Sequence, residues 1–414
     1  MSKHLISAIS IVVLLAFGGD SIGAESPQFP QQATFTTLIT TPRALEGLTG
    51  DDRGNLYTGG SGASPCPVWK INLASPTLVP VGFVPTALAA TCGFSGITFN
   101  DLGDLFVADG GAGRIYSLTP NAATPPNAAI YASGIPGTNG LAFDRAGNLW
   151  TGDGTTGQGR VWKITGSGAN CTPPAAIVNC QEVFRIQPMA NEVNLVSGVG
   201  GVGRDVRDLP PGTITVTPTS RNAANTLGSQ AIVANGIAFN NPGEMFVIDT
   251  ARGALWKVQF DRQGNLTSPI GCDTTFPANT LCLSNVFVAH PILEGGDGIV
   301  LDVAGNVWVA ANERNAIAVV TKDGRVTEVF RNSVNSAKLR NAADTALGNT
   351  RILEFPTSPF ISGKIFCTSN SDGDRRDNSP RLAGEIDAGG AGARGKISCM
   401  DQELTIPGLP LPVR

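Results

Sequence analysis

Residues 297–310 read DGIVLDVAGNVWVA, and four further stretches repeat this frame with different first residues. They are EGLTGDDRGNLYTG at 46–59, SGITFNDLGDLFVA at 95–108, NGLAFDRAGNLWTG at 139–152 and NGIAFNNPGEMFVI at 235–248. In every copy a glycine follows the first residue, a second glycine stands eight positions after it, and an aromatic residue stands eleven positions after it. We call the first residue of each copy its lead residue. A constant frame with a variable polar lead residue predicts a scaffold that brings the lead residues together.

Each copy predicts two antiparallel strands joined by a short turn. The second glycine supplies the positive φ that such a turn needs, and apolar residues flank the turn on both sides. A third strand is expected at 114–118, 160–164, 254–260 and 316–321, and no segment shows convincing helical periodicity. The pattern indicates antiparallel meanders.

The spacing of the copies predicts the architecture. The lead residues are separated by 49, 44, 96, 62 and 58 residues, and the last interval reaches a degenerate sixth copy led by Phe355. Units of about 40–50 residues with several strands each are typical of propeller blades. The sequence therefore predicts an all-β, six-bladed β-propeller with a long insertion between blades three and four.

We expect the propeller to occupy residues 25–414, with an irregular tail at 400–414. The insertion is expected at 165–234, as a lid or as a disordered segment, because long loops are usually one or the other. Residues 33–40 are expected to pair into the last blade, which closes the ring and removes open sheet edges.

Residues 1–24 have the features of a signal peptide, so we expect a secreted or periplasmic protein. The apolar run within them is too short for a membrane span. All eight cysteines follow this segment, and the lack of any CxxC pair favours disulfides over a metal site. Sequential pairing is expected, as Cys66–Cys92, Cys171–Cys180, Cys272–Cys282 and Cys367–Cys399.

Composition narrows the functional classes. The chain has two histidines, and His4 lies in the predicted signal peptide, so a site built from several histidines is excluded. A net charge of −4 without charge runs argues against nucleic acid or an anionic membrane as partner. We expect a monomer with a small-molecule substrate.

The lead residues are the candidate functional residues, because the innermost strands of a propeller run side by side around one axis. They are Glu46, Ser95, Asn139, Asn235, Asp297 and Phe355. Two carboxylates that converge in a confined site repel, so one is protonated or a cation lies between them. Carboxylate and amide oxygens without thiolate or imidazole favour Ca²⁺, Mg²⁺ or Mn²⁺. For a single copy the alternative is a turn or capping residue without further function.

Other carboxylates are interpreted as structural. Residues such as Asp51, Asp144 and Asp302 belong to the hairpin turns. Asp109 and Asp153, together with Asp249, end second strands and are expected to form loops.

The phrases led by Glu46, Asn235 and Asp297 resemble the gluconolactonase, regucalcin and senescence-marker-protein family of six-bladed propellers. The resemblance covers nearly the whole chain between the predicted signal peptide and the tail, apart from the insertion. It implies that Glu46, Asn235 and Asp297 hold one divalent metal ion, with Ca²⁺ preferred and Zn²⁺, Mg²⁺ and Mn²⁺ as alternatives. It also implies that Asn139 contacts the substrate and that Asp297 is the catalytic base.

The expected function is a secreted, metal-dependent hydrolase of the lactonase type, in which the metal polarises the lactone carbonyl and Asp297 activates water. Ser95 and Phe355 would complete the substrate-binding ring with Asn139. Gly137-Thr138 stand where the family has a basic residue, which argues against a sugar-acid lactone as substrate. Phe355 at the sixth lead position and the long insertion indicate a different, less polar ligand. The alternative is a non-catalytic extracellular binding propeller of the NHL type with a structural metal.

Overall fold

The structure is a computed structural model that describes most of the chain from residue 29 onwards. The described residues are 29–30, 33–85, 91–156, 158–171, 177–187, 232–271, 277–282, 285–293, 295–312, 315–331, 353–371 and 395–412. The predicted signal peptide, Cys272 and residues 188–231 of the predicted insertion lie outside these ranges. Within the ranges no helix is long and apolar enough to cross a membrane.

Six sheets, each with a core of four antiparallel strands, form the described part of the molecule, so the prediction of a six-bladed all-β propeller is confirmed. Blade one contains β2 (Leu45–Gly50), β3 (Asn55–Gly60), β5 (Cys66–Asn72) and β6 (Val79–Val84). Blade two contains β8 (Phe94–Phe99), β9 (Leu105–Asp109), β10 (Arg114–Leu118) and β11 (Ala129–Ser133). Blade three contains β12 (Leu141–Phe143), β13 (Leu149–Gly152), β14 (Arg160–Ile164) and β16 (Cys180–Ile186).

The second half follows the same order. Blade four contains β17 (Ile237–Phe239), β18 (Met245–Asp249), β19 (Ala254–Val258) and β21 (Val286–Ala289). Blade five contains β22 (Gly296–Leu301), β23 (Val307–Ala311), β24 (Ala316–Val320) and β25 (Val326–Arg331). Blade six contains β26 (Pro356–Ser362), β27 (Ile365–Asn370), β28 (Gly395–Met400) and the N-terminal strand β1 (Phe35–Thr41).

Short elements supplement the blades. The two-residue strands are β4 (Gly62–Ala63), β7 (Thr91–Cys92), β15 (Ala169–Asn170) and β20 (Thr280–Leu281). The described 3₁₀ helices are Gly154–Thr156 and Pro291–Leu293. Strand β15 pairs with the edge of blade two and β20 with the edge of blade three, both in parallel.

Strand β1 closes the ring, as the sequence predicts. It pairs antiparallel with β28 and forms the outer edge of blade six, although it comes from the opposite end of the chain. The innermost strands contact one another in cyclic order, and β2 also contacts β26. Each blade therefore has a neighbour on both sides around a central axis.

Aromatic contacts between neighbouring blades recur at fixed repeat positions. The aromatic residue eleven positions after one lead residue contacts the aromatic residue four positions after the next. These pairs are Tyr57–Phe99 (4.9 Å between ring centroids), Phe106–Phe143 (5.0 Å) and Trp150–Phe239 (5.9 Å). Buried aromatic side chains dominate packing energetics, and edge-to-face pairs add about 0.5–1.5 kcal/mol each. The repeat thus encodes the contacts that set one blade against the next.

The predicted insertion begins too early. Residues 180–186 form β16, the outer strand of blade three, and residues 169–170 form β15. The Gly- and Asn-containing sequence around Cys171 hides these strands from pattern analysis. The Cys171–Cys180 disulfide joins them, and Cys66–Cys92 and Cys367–Cys399 are paired as predicted. Cys282 is also disulfide-bonded, and disulfides of this kind suit an oxidising compartment.

Residues 401–412 of the predicted tail fold across one end of the propeller. Leu404 N, Gly408 N and Leu409 N donate hydrogen bonds to the carbonyl oxygens of Lys364, Gly363 and Leu301. We call this end, where the inner hairpins turn, the lower end. The opposite end, where the lead residues begin the inner strands, is the mouth.

Candidate functional site

The lead residues form a closed ring at the mouth, held by very close backbone approach. A Cβ atom added to the glycine after each lead residue would collide with the carbonyl oxygen of the next lead residue. The distances are 2.3 Å from Gly47 to Ser95, 2.4 Å from Gly96 to Asn139, 2.4 Å from Gly140 to Asn235, 2.5 Å from Gly236 to Asp297 and 2.5 Å from Gly298 to Thr357. The ring closes where Thr357 Oγ1 donates to the carbonyl oxygen of Glu46 at 2.6 Å. This explains why every copy carries that glycine.

The sixth ring position is Thr357, so the assignment of Phe355 to it is wrong. In blade six Ser362 pairs with Ile365, whereas in blade five Leu301 pairs with Val307 across a longer turn. The counterparts of Leu301 and Val307 are Ile361 and Phe366, which pair with each other, so the sixth hairpin is one residue shorter. Because Gly363 and Phe366 also stand earlier in this hairpin, the frame counted from them begins two residues before Thr357. Phe355 is buried beside the ring with φ 56°. Its contact with substrate stays a prediction.

The Asn235 side chain is fixed by Thr250, which directly follows the neighbouring strand β18. Asn235 Nδ2 donates to Thr250 Oγ1 at 2.9 Å, and Thr250 Oγ1 donates to the carbonyl oxygen of Gly296 at 2.5 Å. Asn235 Oδ1 is buried and has no hydrogen-bond partner. Burying an amide oxygen without a donor costs free energy, so such an atom indicates a missing cation or donor.

The Asp297 side chain is supported in a corresponding way. Asn312 Nδ2 donates to Asp297 Oδ2 at 2.9 Å, and both side chains are buried. Asn312 Oδ1 is a second buried amide oxygen without a partner. Asp297 also accepts from Gly236 through its backbone, since Gly236 N lies 3.0 Å from the Asp297 carbonyl oxygen. Blades four and five are thus linked at the ring by both backbone and side chains.

The remaining ring residues differ in what they offer a ligand. Ser95 Oγ donates to the carbonyl oxygen of Thr138 at 2.7 Å, so its lone pairs can accept from a ligand. Asn139 is buried, and Gly154 lies against it: a Cβ at Gly154 would come within 2.8 Å of Asn139 Nδ2. Glu46 is half-buried. The glycine at 154 therefore leaves room for the Asn139 amide.

The carboxylates at the ends of the second strands shape the loops around the mouth, as interpreted from sequence. Asp249 Oδ2 accepts from Arg252 Nη1 at 2.8 Å in a fully buried ion pair. Asp153 pairs with Arg160 and accepts from Thr156 Oγ1 at 2.6 Å. Burial raises the pKa of Asp153 to about 6, although the charge of Arg160 and its hydrogen bonds oppose the shift. Burial also raises the pKa of Asp249.

The ring residues fit a hard divalent cation. Among the described residues, no three or more His, Cys, Asp or Glu side chains are grouped to hold a metal ion. Glu46, Asn235 and Asp297 combine two carboxylates with an amide oxygen that is buried without a partner. Oxygen donors of this kind are the ligands that Ca²⁺, Mg²⁺ and Mn²⁺ prefer.

Three residues of this site escape sequence reasoning. Thr250 and Asn312 stand fifteen positions after their lead residues, which is a repeat position the frame does not mark. Thr357 is hidden by the shortened sixth hairpin. The signal that could have found the first two is the register, since the paired strands Ile237–Phe239 and Met245–Asp249 place residue 250 beside residue 235.

Comparisons with known proteins agree with the fold and the resemblance. The family model for the SMP-30/gluconolactonase/LRE-like region matches residues 197–337. A calcium-binding protein, regucalcin from Agrobacterium tumefaciens, is similar in structure with a TM-score of 0.52 and 15% identity, over 93% of this chain and 99% of that one. None of the curated proteins matches this chain.

Two further solved structures share the fold. The luciferin-regenerating enzyme has a TM-score of 0.51 and 13% identity, over 91% of this chain and 98% of that one. The PQQ-bound aldose sugar dehydrogenase from Streptomyces coelicolor has a TM-score of 0.51 and 12% identity, over 89% of this chain and 99% of that one. These proteins differ in chemistry, so the shared propeller establishes the fold and leaves the reaction to be argued from the site.

Proposed function

We propose that this propeller is a metal-dependent hydrolase of the lactonase type, with its site at the mouth. The observation that carries the proposal is the buried, unpartnered Asn235 Oδ1 in the same ring as Glu46 and Asp297. These three residues would hold one divalent cation, with Ca²⁺ preferred. Such an ion supplies a Lewis acid that polarises the carbonyl of a bound lactone.

Asp297 is the residue proposed to move the proton. As a carboxylate it can accept a proton from a water molecule that attacks the lactone carbonyl. Asn312 holds one carboxylate oxygen of Asp297 through a hydrogen bond and so limits its rotation. Ser95 and Asn139 would orient the substrate from the neighbouring blades.

The family match and the disulfides support this proposal. The matched family model carries the description SMP-30/gluconolactonase/LRE-like region. Its match, residues 197–337, includes the sequence of blade four and the phrase led by Asp297. The disulfides suit the secreted or periplasmic location expected from residues 1–24. A small-molecule substrate suits a polar ring of six side chains around one axis.

The test is a lactone panel assayed with chelator-treated and Ca²⁺-loaded protein. Asp297→Asn should lower kcat by about 10²–10⁴-fold, as expected for loss of a general base, while circular dichroism stays unchanged. Asp261→Asn, at an exposed turn far along blade four, is the matched control and should keep wild-type turnover. Wild-type turnover by Asp297→Asn would refute the mechanism. Bound metal with no hydrolysis of any lactone would favour the non-catalytic binding propeller instead.

A further inference from the structure

Thr250 and Asn312 occupy the same repeat position in consecutive blades, fifteen residues after the lead residue. Both are buried, and each donates to or accepts from the side chain of its own lead residue. At this position blades two and three have Gly110 and Gly154, which make no side-chain contact. Blade one has Ser61 at this position, and its Oγ accepts from Phe94 N at 3.2 Å. The described hydrogen bonds from this position to a lead side chain are those to Asn235 and Asp297.

The hydrogen-bond arrangement at Thr250 determines how the Asn235 amide is oriented. A threonine hydroxyl has one hydrogen, and Thr250 Oγ1 uses it on the carbonyl oxygen of Gly296 at 2.5 Å. Thr250 Oγ1 can then only accept from Asn235, so the Asn235 side chain must present its NH₂ group. The amide oxygen, Asn235 Oδ1, is thereby kept for another partner.

Asn312 acts on Asp297 by a related route. Its own backbone is anchored, because Asn312 N donates to the Gly295 carbonyl oxygen at 2.8 Å and its carbonyl oxygen accepts from Asn315 N at 3.1 Å. From this fixed backbone Asn312 Nδ2 reaches Asp297 Oδ2 at 2.9 Å. The Thr250 bond to Gly296 fixes the residue before Asp297, so both supports converge on one carboxylate.

We propose that Thr250 and Asn312 are positioning residues that orient Asn235 and Asp297 and so set the affinity of the ring for a divalent cation. The inference rests on the proposed metal site and is independent of whether the site hydrolyses lactones. Hydrogen-bond partners of metal ligands typically contribute about 10–100-fold to metal affinity.

The experiment is calorimetric titration of chelator-treated protein with CaCl₂. Thr250→Val, which keeps the side-chain shape and loses the hydroxyl, should weaken Ca²⁺ binding by about 10–100-fold. Thr250→Ser keeps the hydroxyl, so this variant should bind Ca²⁺ with about the wild-type affinity. Asn312→Ala should weaken binding by a similar factor and tests the same inference if Thr250→Val does not fold.

Thr321→Val is the matched control, because the hydroxyl of the buried Thr321 donates to Asp323 in a turn at the lower end of blade five, away from the ring. It should lower the melting temperature and leave Ca²⁺ affinity unchanged. Wild-type affinity in folded Thr250→Val and Asn312→Ala would overturn the inference. Wild-type protein that binds no Ca²⁺ would overturn both the inference and the metal site, whereas Ca²⁺ binding without hydrolysis would overturn only the proposed reaction.

Discussion

Asp297 and Asp302 lie five residues apart on one hairpin and have different surroundings. Asp302 accepts hydrogen bonds from Ala304 N, from Asn306 N and Nδ2 and from Trp308 Nε1, at 2.8–3.2 Å. Its oxygens are saturated by its own turn, so little capacity is left for a ligand. Asp297 Oδ2 accepts from Asn312 Nδ2, which directly follows the second strand of the hairpin, at 2.9 Å. At the residue scale, two aspartates of one hairpin are therefore told apart by which groups donate hydrogen bonds to them, since their residue type is the same.

Asp153 gives a pH-dependent prediction at this scale. Its folded-state pKa of about 6 lies above the ordinary value of 3.8, because burial disfavours the charged form. The folded protein therefore binds more protons between these values, and this contribution to stability is present below pH 4 and is lost as pH rises to about 6. An asparagine at this position does not titrate, so the variant lacks this pH-dependent loss. We expect the unfolding free energy of Asp153→Asn minus that of wild type to rise by up to about 3 kcal/mol between pH 4 and pH 7.

The measurement is chemical denaturation of both proteins at matched pH values, so that titrations common to both cancel. Asp261→Asn serves as the control, since hydrogen bonds with Asn265 lower the pKa of the exposed Asp261 carboxyl. Its contribution is lost as pH falls, which gives a dependence of the opposite sign. Parallel stability curves for Asp153→Asn and wild type would contradict the assigned pKa.

At the element scale, the inner hairpins use two versions of one turn. In blades one, three and five an Asp five positions after the lead residue bonds an Asn four residues later and the polar atom of the aromatic side chain. These sets are Asp51–Asn55–Tyr57, Asp144–Asn148–Trp150 and Asp302–Asn306–Trp308. In blades two and four the amide and the carboxylate exchange places, and the aromatic residue is phenylalanine. These sets are Asn100–Asp104–Phe106 and Asn240–Glu244–Phe246.

This exchange predicts a double-mutant result in blade two. Asn100→Asp alone places two carboxylates against each other across the turn and should cost about 1 kcal/mol of unfolding free energy. Asn100→Asp combined with Asp104→Asn rebuilds the arrangement of Asp144 and Asn148 and should recover most of that loss. Urea denaturation of the two single variants and the double variant measures the coupling. If the double variant loses as much unfolding free energy as the two single variants together, the two positions act independently.

The same hairpins show what the sequence can and cannot predict. Five full-length turns give the blade number, the glycine contacts and five of the six ring residues, because identical spacing implies identical register. The sixth turn lacks one residue, and its glycine and aromatic residue keep the frame's distances from Phe355 by coincidence. The approach of Gly298 to the Thr357 carbonyl oxygen and the Thr357 bond to Glu46 identify Thr357 as the ring residue. The repeat position of Asn312 carries a different residue type in most blades, including Ser61, Gly110 and Thr250, so residue type gives no repeat signal there.

At the scale of the whole molecule, the two ends of the chain complete a ring that the repeats alone would leave open. Strand β1 supplies the outer strand of blade six, and residues 401–412 cover the lower end of the central channel. Leu409, Leu411 and Pro412 line a cavity of ≈ 70 Å³ together with inner-strand residues of all six blades. The tail therefore packs against the inner strands of the channel at its lower end.

Leu409 is the residue on which this closure is predicted to depend most. Its side chain is 5% exposed, and its backbone N donates to the Leu301 carbonyl oxygen at 2.8 Å. Leu409→Ala should lower the unfolding free energy by about 2–4 kcal/mol, because it enlarges a cavity that the inner strands cannot collapse to fill. Leu102→Ala is the matched control, since Leu102 is 82% exposed on a hairpin turn and should change stability little.

Denaturation midpoints of both variants measure this difference. Losses of equal size in the two proteins would show that the tail lies on the propeller without stabilising it. A large loss confined to Leu409→Ala, with Ca²⁺ affinity at the mouth unchanged, would show that the tail stabilises the channel without setting the chemistry of the ring. The separation follows from geometry, because the inner strands place the lead residues and Leu409 at opposite ends of the same channel.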